Sequence, residues 1–522
     1  MVLERTSSPV VGRGRGVARL ALAIAALAAP ASDAAAQRAR PTDPNRVPTA
    51  RPGTPIALPD ALQVALRQSP SISRAVIDIE AARADALAAQ GIDDFTLSAV
   101  ASLTRAWSWQ TGSSPGAYLQ DAAGLGAGLS RKLPTGGTVT ANASAQAVSE
   151  RFEPDGAPAV DTFSGVVTNL SAGVSHPLLR GLGQRIARAD QRRASVARDV
   201  ASLSQAAEAL NVVRDVIVAY WQVAYARQVV DIRIEGMKLA LEQLRITNTA
   251  VRTGSVSPTE VPAAEQSIAQ REQAVIQAQV AVSELSLEFR RKVGLEIGRD
   301  QIDLAPSTPL VAPTPTFDVD ATITRAIRDN PVLAMLEAKG KAADIEVEVS
   351  EDAIRPRLDV QAQLGSTGHA TSAVDSIKQL GRFDNPSVAI TLGYEQQLGS
   401  HAARGARDRA QAQRRRVRLD AEAARREITV SVVHAIDLLR AAQQRIEVSD
   451  RAIGLARRTL EIQQTRFLNG KATNFDVVLR QDELQQASVS RALAVSDALA
   501  AEATVYALTG ELLDRNHIRI VP

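Results

Sequence analysis

The residues able to do chemistry are few, and their spacing suits little of it. The chain holds five histidines (His176, His369, His401, His434 and His517) and no cysteine. None of the five has a second His or a Cys at metal-ligand distance along the chain. No metal centre and no cofactor are expected, and Ser, Asp and His form no catalytic constellation. The acids that stand out follow glycine turns: Asp476 lies six residues past Gly470, and Glu260 six past Gly254. Both fall at the start of an expected helix, where the helix dipole favours a carboxylate. Two groups of arginines stand apart, Arg185, Arg188, Arg192 and Arg193, and Arg414, Arg415, Arg416 and Arg418. Such groups suit interhelical ion pairs, solvated faces or anionic lipid headgroups.

What positions these residues begins with an export signal. Arg13, Arg15 and Arg19 precede an apolar run, Leu20 to Ala29, and Ala34-Ala35-Ala36 offers a cleavage site before Gln37. Residues 1–36 therefore read as a signal peptide, too short in its apolar part to span a bilayer as a helix. Without them the chain carries 56 basic and 55 acidic residues, a balance that gives no reason to expect nucleic acid as a partner. Residues 37–59 contain Pro41, Pro44, Pro48, Pro52, Pro55 and Pro59 and read as an extended arm.

The rest is written twice. Ala65-Leu66-Arg67-Gln68-Ser69-Pro70 aligns with Ala326-Ile327-Arg328-Asp329-Asn330-Pro331 at an offset of 261, which also carries Leu97 onto Leu358 and Leu103 onto Leu364. Further on, Leu182-Gly183 aligns with Leu398-Gly399 and Thr253-Gly254 with Asn469-Gly470, at an offset of 216. The offsets differ by 45, so the first copy carries an insertion of that length between Leu103 and Leu182. The first repeat is taken as 60–312, the linker as 313–319, the second repeat as 320–510 and the tail as 511–522. Each copy predicts a helix (60–90 and 320–352), alternating segments, a long helix (186–252 and 402–468), a Gly turn and a returning helix (258–293 and 474–509).

The long helices carry a heptad. Val223, Val230, Met237, Leu244 and Val251 fall seven apart, as do Leu439, Ile446, Ile453, Leu460 and Phe467, and Val261 to Phe289 continue the pattern on the return. A sustained seven-residue stripe specifies coiled-coil packing, and at 1.5 Å per residue these helices would each run about 100 Å. Gly254 and Gly470 should end them in the left-handed conformation. Pro258 then suits a first helical turn and Asn474 a cap.

The alternating segments are Leu97–Leu103, Val166–Val174, Leu358–Leu364 and Val388–Tyr394. Period-two patterns, apolar on one side and polar on the other, suit a barrel with lipid outside and water inside, and also a soluble antiparallel sheet. The export signal and the lack of any helical span favour the barrel. Four strands cannot close one, so several copies must share it. The insertion holds a further hairpin signal, with strands around Leu125–Arg131 and Thr138–Ala147 and a turn at Pro134-Thr135-Gly136-Gly137. It either extends the strands outside the membrane or joins the barrel. Trp107, Trp109, Tyr118 and Tyr394 are candidates for the membrane interface.

Four features together resemble the TolC family of outer-membrane export channels: Ala61-Leu62 to Ser69-Pro70, the duplication, the junction Ser175-His176-Pro177-Leu178-Leu179-Arg180-Gly181-Leu182-Gly183, and the turn Phe467-Leu468-Asn469-Gly470-Lys471-Ala472-Thr473-Asn474-Phe475-Asp476. The resemblance implies a mainly α protein with a membrane β-barrel. Long antiparallel helical hairpins would form a trimeric tunnel, and about four strands per protomer would close a shared twelve-stranded barrel. It implies an outer-membrane location and a passive conduit of a tripartite efflux or type I secretion system. The partners would be a periplasmic adaptor and an inner-membrane pump, and nothing would be catalysed. Adaptors of the family dock on the hairpin tips, which makes Gly254, Val256, Gly470, Ala472 and Thr473 the expected contacts. The family often places an acid at Asp476 facing the tunnel, where three copies would form a cation-concentrating ring. Glu260 is the counterpart in the first copy, and Leu479 stands where a second acid is usual.

Overall fold

The computed structural model describes residues 49–112, 114–296 and 302–519; the signal peptide and most of the Pro-rich arm lie outside them. The elements run β1 (Thr54–Ile56), α1 (Leu58–Gln68), α2 (Pro70–Gln90), β2 (Thr96–Gln110), β3 (Gly116–Lys132), β4 (Thr138–Pro154) and β5 (Val160–Pro177). Then come α3 (Gln184–Ala187), α4 (Ala189–Arg252), α5 (Glu260–Val293), β6 (Leu304–Pro306), α6 (Val319–Asp329) and α7 (Pro331–Asp352). The chain continues through β7 (Arg357–Ala370), α8 (Ala373–Arg382), β8 (Pro386–Glu395), α9 (His401–Leu468), α10 (Asn474–Leu508) and α11 (Leu512–Arg515).

Two boundaries differ from the sequence expectation, both because of proline. The arm ends at Ala57, since Pro59 sits in the first turn of α1, where its missing N–H costs nothing. The single helices expected over 60–90 and 320–352 are each broken, at Ser69–Pro70 and Asn330–Pro331. The residue before each Pro is extended, with φ −64° and ψ 122° at Ser69 and φ −72° and ψ 121° at Asn330. A proline ring disfavours the helical conformation in the residue that precedes it.

The long helices α4 and α9, of 64 and 68 residues, run the length of the chain's helical part. In one half the helices lie side by side in the order α2, α4, α7, α9, and in the other in the order α5, α4, α10, α9. Each half is thus a row four helices wide. The heptad stripe is the seam: Val223, Val230, Met237, Leu439, Phe467, Val275, Val282 and Phe289 are all almost fully buried. In the second copy Arg491 breaks the stripe and pairs with Asp450 at 2.5 Å. Where the rows change partners, β1 and β6 form a small parallel sheet, and the Tyr220 hydroxyl donates to Ile56 O at 3.1 Å.

The second sheet has six strands, in the order β2-β3-β4-β5-β7-β8 with every pair antiparallel. The sheet holds six strands because the insertion, whose placement the sequence left open, forms β3 and β4 and pairs within it, between β2 and β5. Its Ala and Gly residues gave too weak an alternation for the sequence to place it. One cross-strand row reads Leu97, Leu129, Ala141, Ala172, Leu364, Val388. The next, on the opposite face, reads Ser98, Gly128, Asn142, Ser171, Gly365, Ser387. One face of all six strands is therefore apolar and the other polar. Along β3 and β4 the apolar-face residues are mostly exposed and the polar-face residues mostly half-buried, so the sheet curls toward its polar side. The outer edges of β2 and β8 have no partner within the sheet.

Helix α8 lies on the apolar face over β5 and β7. It is held through its polar side: the Ser376 and Thr168 hydroxyls are 2.9 Å apart, and the Gln379 Oε1 accepts from His369 N at 2.9 Å. Val374 and Ile377 point outward, 62% and 58% exposed. A helix on a water-facing surface turns its apolar stripe inward; this one does the reverse, as suits a hydrocarbon surrounding.

Candidate functional site

The tips of the two hairpins are built alike. Gly254 and Gly470 take φ values of 74° and 66°, and the backbone N–H groups of Ser255 and Lys471 reach back to Ala250 O and Arg466 O, each at 2.9 Å. This is the glycine-terminated helix end that satisfies otherwise orphaned carbonyls. The returning helix α10 is capped by Thr473, with Asp476 completing a capping box. Asn474, expected as the cap, is instead the first helical residue, and it is fully buried with its side-chain amide unpartnered. The Thr473 hydroxyl serves better because Asp476, three residues on, reciprocates. Pro258 likewise stands just ahead of α5, whose first residue is Glu260.

Both candidate acids therefore have structural work at the tip. The Asp476 Oδ2 accepts from the Thr473 N–H at 2.9 Å and from its hydroxyl at 2.8 Å. The hydrogen bond from the Thr473 backbone, with its hydroxyl second, holds this carboxyl below the usual carboxylate range. Glu260 Oε2 accepts from Asn474 N at 3.1 Å, so it joins the first hairpin to the second. Val256 and Ala472 pack on a small core of Leu460, Phe467 and Val477. The most displayed apolar groups at the tips are Phe475, 70% exposed, and Leu468, 60% exposed. The sequence reading had singled out neither.

Farther up, a buried polar cluster ties the hairpins together. Arg271 of α5 donates to Gly236 O at 3.1 Å, to Gln481 Oε1 at 3.2 Å and to Asp482 Oδ1 at 2.8 Å. Burial pushes the pKa of its guanidinium down, and the Asp482 charge opposes that. Arg233 donates to Gln485 Oε1 at 2.6 Å. Gly236 leaves room for the Gln485 amide, which a Cβ would strike at 2.1 Å. Sequence reasoning missed this cluster, since an Arg beside a heptad stripe looks like any solvated residue.

At the other end, the first arginine group is largely spent on ion pairs. Arg192 meets Glu348 at 2.9 Å, Arg188 meets Asp93 at 2.8 Å, and Arg185 and Arg193 pair with Glu348 and Glu346. In the second group Arg414 lies 3.8 Å from Asp344. Trp107, Trp109 and Tyr394 stand on the apolar face, 76%, 61% and 62% exposed. Tyr118 does not: it faces the polar side, where its hydroxyl donates to Glu150 Oε2 at 2.6 Å. Residues 112–116 spell G-x-S-x-G, which the sequence reading passed over. They join two strands, whereas a nucleophile elbow leads from a strand into a helix. Among the described residues, no group of three or more His, Asp or Glu is placed to hold a metal ion.

The family model described as outer membrane efflux protein matches residues 136–294 and 322–511, more than half of the chain. Among curated proteins none matches the sequence. Among solved structures, the outer membrane protein VceC of Vibrio cholerae aligns at 17% identity and a TM-score of 0.63, covering 87% of this chain and 96% of its own. The MtrE outer membrane channel of Neisseria gonorrhoeae, in its open state, aligns at 17% identity and a TM-score of 0.61, with coverages of 87% and 89%. The CmeC outer membrane channel of Campylobacter jejuni aligns at 14% and 0.61, with coverages of 87% and 86%. At such identities the likeness is one of fold.

Proposed function

The chain belongs to the outer membrane efflux protein family, and from that premise we propose that it is the outer-membrane channel of a tripartite export assembly. Three copies close a barrel through the free edges of β2 and β8, and their helical rows close a tunnel in the periplasm. Cargo passes passively, delivered by an inner-membrane pump through a periplasmic adaptor that docks on the hairpin tips; the chain itself catalyses nothing. The observation that carries this reading is the two-faced sheet continuous with helices about 100 Å long. An apolar outer face suits lipid and a polar inner face suits water. Each copy supplies an even number of alternating strands, so the closing pair of β8 and the next copy's β2 is antiparallel like all the others.

At the tips, the three Asp476 carboxylates form a ring that favours cations. Single-channel recording in a planar bilayer tests both parts. The mature protein should give stable, cation-selective conductance, and Asp476→Asn should lose much of the selectivity. Unchanged selectivity would remove Asp476 from the gate. A protein that is soluble without detergent and never conducts would sink the channel.

A further inference from the structure

We propose that all six strands of each protomer enter the barrel wall, so that three copies build an eighteen-stranded barrel in place of the twelve-stranded one the family resemblance implies. The proposal rests on the channel reading above and concerns the width of its outer-membrane exit.

The added strands have the properties of wall strands. β3 pairs with β2 from Thr96↔Ser130 to Gln110↔Gly116, and β4 pairs with β5 from Thr138↔Ser175 to Phe152↔Val160. A hairpin projecting beyond the membrane would share only its base with the sheet; this one is paired along its whole length. Excluding it would require β2 to leave β3 and pair with β5, with which it has no contact in the sheet order. The two faces also continue through it unchanged. Ala123, Leu125, Ala127 and Leu129 of β3, and Val139 to Ala147 at alternate positions of β4, extend the apolar face. Gly124, Gly126, Gly128, Thr140, Asn142, Ser144 and Gln146 line the polar one. Charge brackets this band at both ends. The pairs Arg105–Asp121 (2.6 Å) and Arg151–Asp161 (2.9 Å) lie at one end, and Arg131 donates to Asp93 O at 3.0 Å at the other. An uncharged apolar band bounded by charged residues is the outside of a membrane-spanning strand. The family match to the first copy begins only at residue 136, after β2 and β3, whereas the match to the second begins at 322, inside α6. The match to the first copy thus takes in β4 and β5 and leaves out β2 and β3 together with α1 and α2.

Barrel diameter grows roughly linearly with strand number, so eighteen strands open the exit by about half over twelve. Barrels of this size leave an aqueous channel when nothing fills them, and the inner face here carries Gly, Ser, Thr, Asn and Gln. Such an exit would pass cargo too wide for a twelve-stranded one.

Electron cryo-microscopy of the purified mature protein in lipid nanodiscs decides the matter by counting strands. Eighteen around one lumen is the expected result. Twelve, with β3 and β4 outside the wall, would overturn the proposal and leave the channel intact; no barrel at all would overturn the reading beneath it. The absence of cysteine permits a second test with single substitutions on neighbouring residues of β4. In outer membranes, Asn142→Cys should react with a water-soluble maleimide, and that reaction should be lost in Ala143→Cys, which should instead react with a lipid-soluble one. Equal reaction of both with the water-soluble reagent would place the hairpin outside the membrane and overturn the proposal.

Discussion

Arg271 carries more consequence than its neighbours on α5. It is 5% exposed, yet it satisfies a backbone carbonyl, an amide and a carboxylate on two other helices. Asp482, its charged partner, keeps a side chain 58% exposed, and Gly236 O, in the middle of α4, keeps its helical N–H donor, so removing Arg271 strands chiefly Gln481 Oε1. Leaving such a buried acceptor without a donor costs about 1–3 kcal/mol. Arg271→Ala should therefore cost stability of that order, seen as a lower melting temperature of the purified protein, and Arg271→Lys should cost less. Little of this was legible in the sequence. The glycines of the tips were readable because φ near +70° is a demand few other residues meet. A buried arginine is not, because its burial depends on which residues of a distant helix lie opposite. Thr473 was misread for a related reason. Asn474 and Thr473 are both good caps taken alone, and only the reciprocal bond from Asp476 separates them.

Among the elements, the helices were the most legible and the strands the least. A heptad of five positions on each of α4, α5 and α9 leaves little freedom in placing those helices. The prolines at 70 and 331 broke helices that the apolar periodicity had joined, because periodicity reports the buried face and not the backbone hydrogen bonds. The strands β3 and β4 are built on Ala, Gly and Ser, whose alternation is faint until their neighbours supply Leu and Val on the same row. The tips are the element where function can be separated from assembly. Phe475 is 70% exposed at the tip, and in the proposed assembly it is the side chain offered to the docking partner. Phe475→Asp should leave the conductance of the purified channel unchanged and reduce export by cells that depend on it. Loss of conductance as well would assign Phe475 to the fold of the tip.

At the scale of the molecule, the free edges of β2 and β8 are the dominant fact. Long unpaired edges are a liability that closed barrels abolish, and the proposed barrel pairs each edge with that of a second copy. Folding of the sheet and association of the chains should accordingly be one process. The melting temperature in detergent should rise with protein concentration, as it does whenever the folded state is an assembly; a value independent of concentration would mean that one chain holds its sheet alone.

The row of four helices that meets the sheet has a further consequence, one of girth. Helices packed about 9 Å apart give a row of four a breadth of about 36 Å. Six strands about 4.8 Å apart and tilted by about 40° give an arc of about 38 Å, whereas four would give only about 25 Å. Sheet and helical row are thus nearly equal in breadth, and the conduit they form needs no neck where it enters the membrane. In the proposed channel the membrane end therefore adds no constriction, and the size limit on what passes is left to the gate at the hairpin tips.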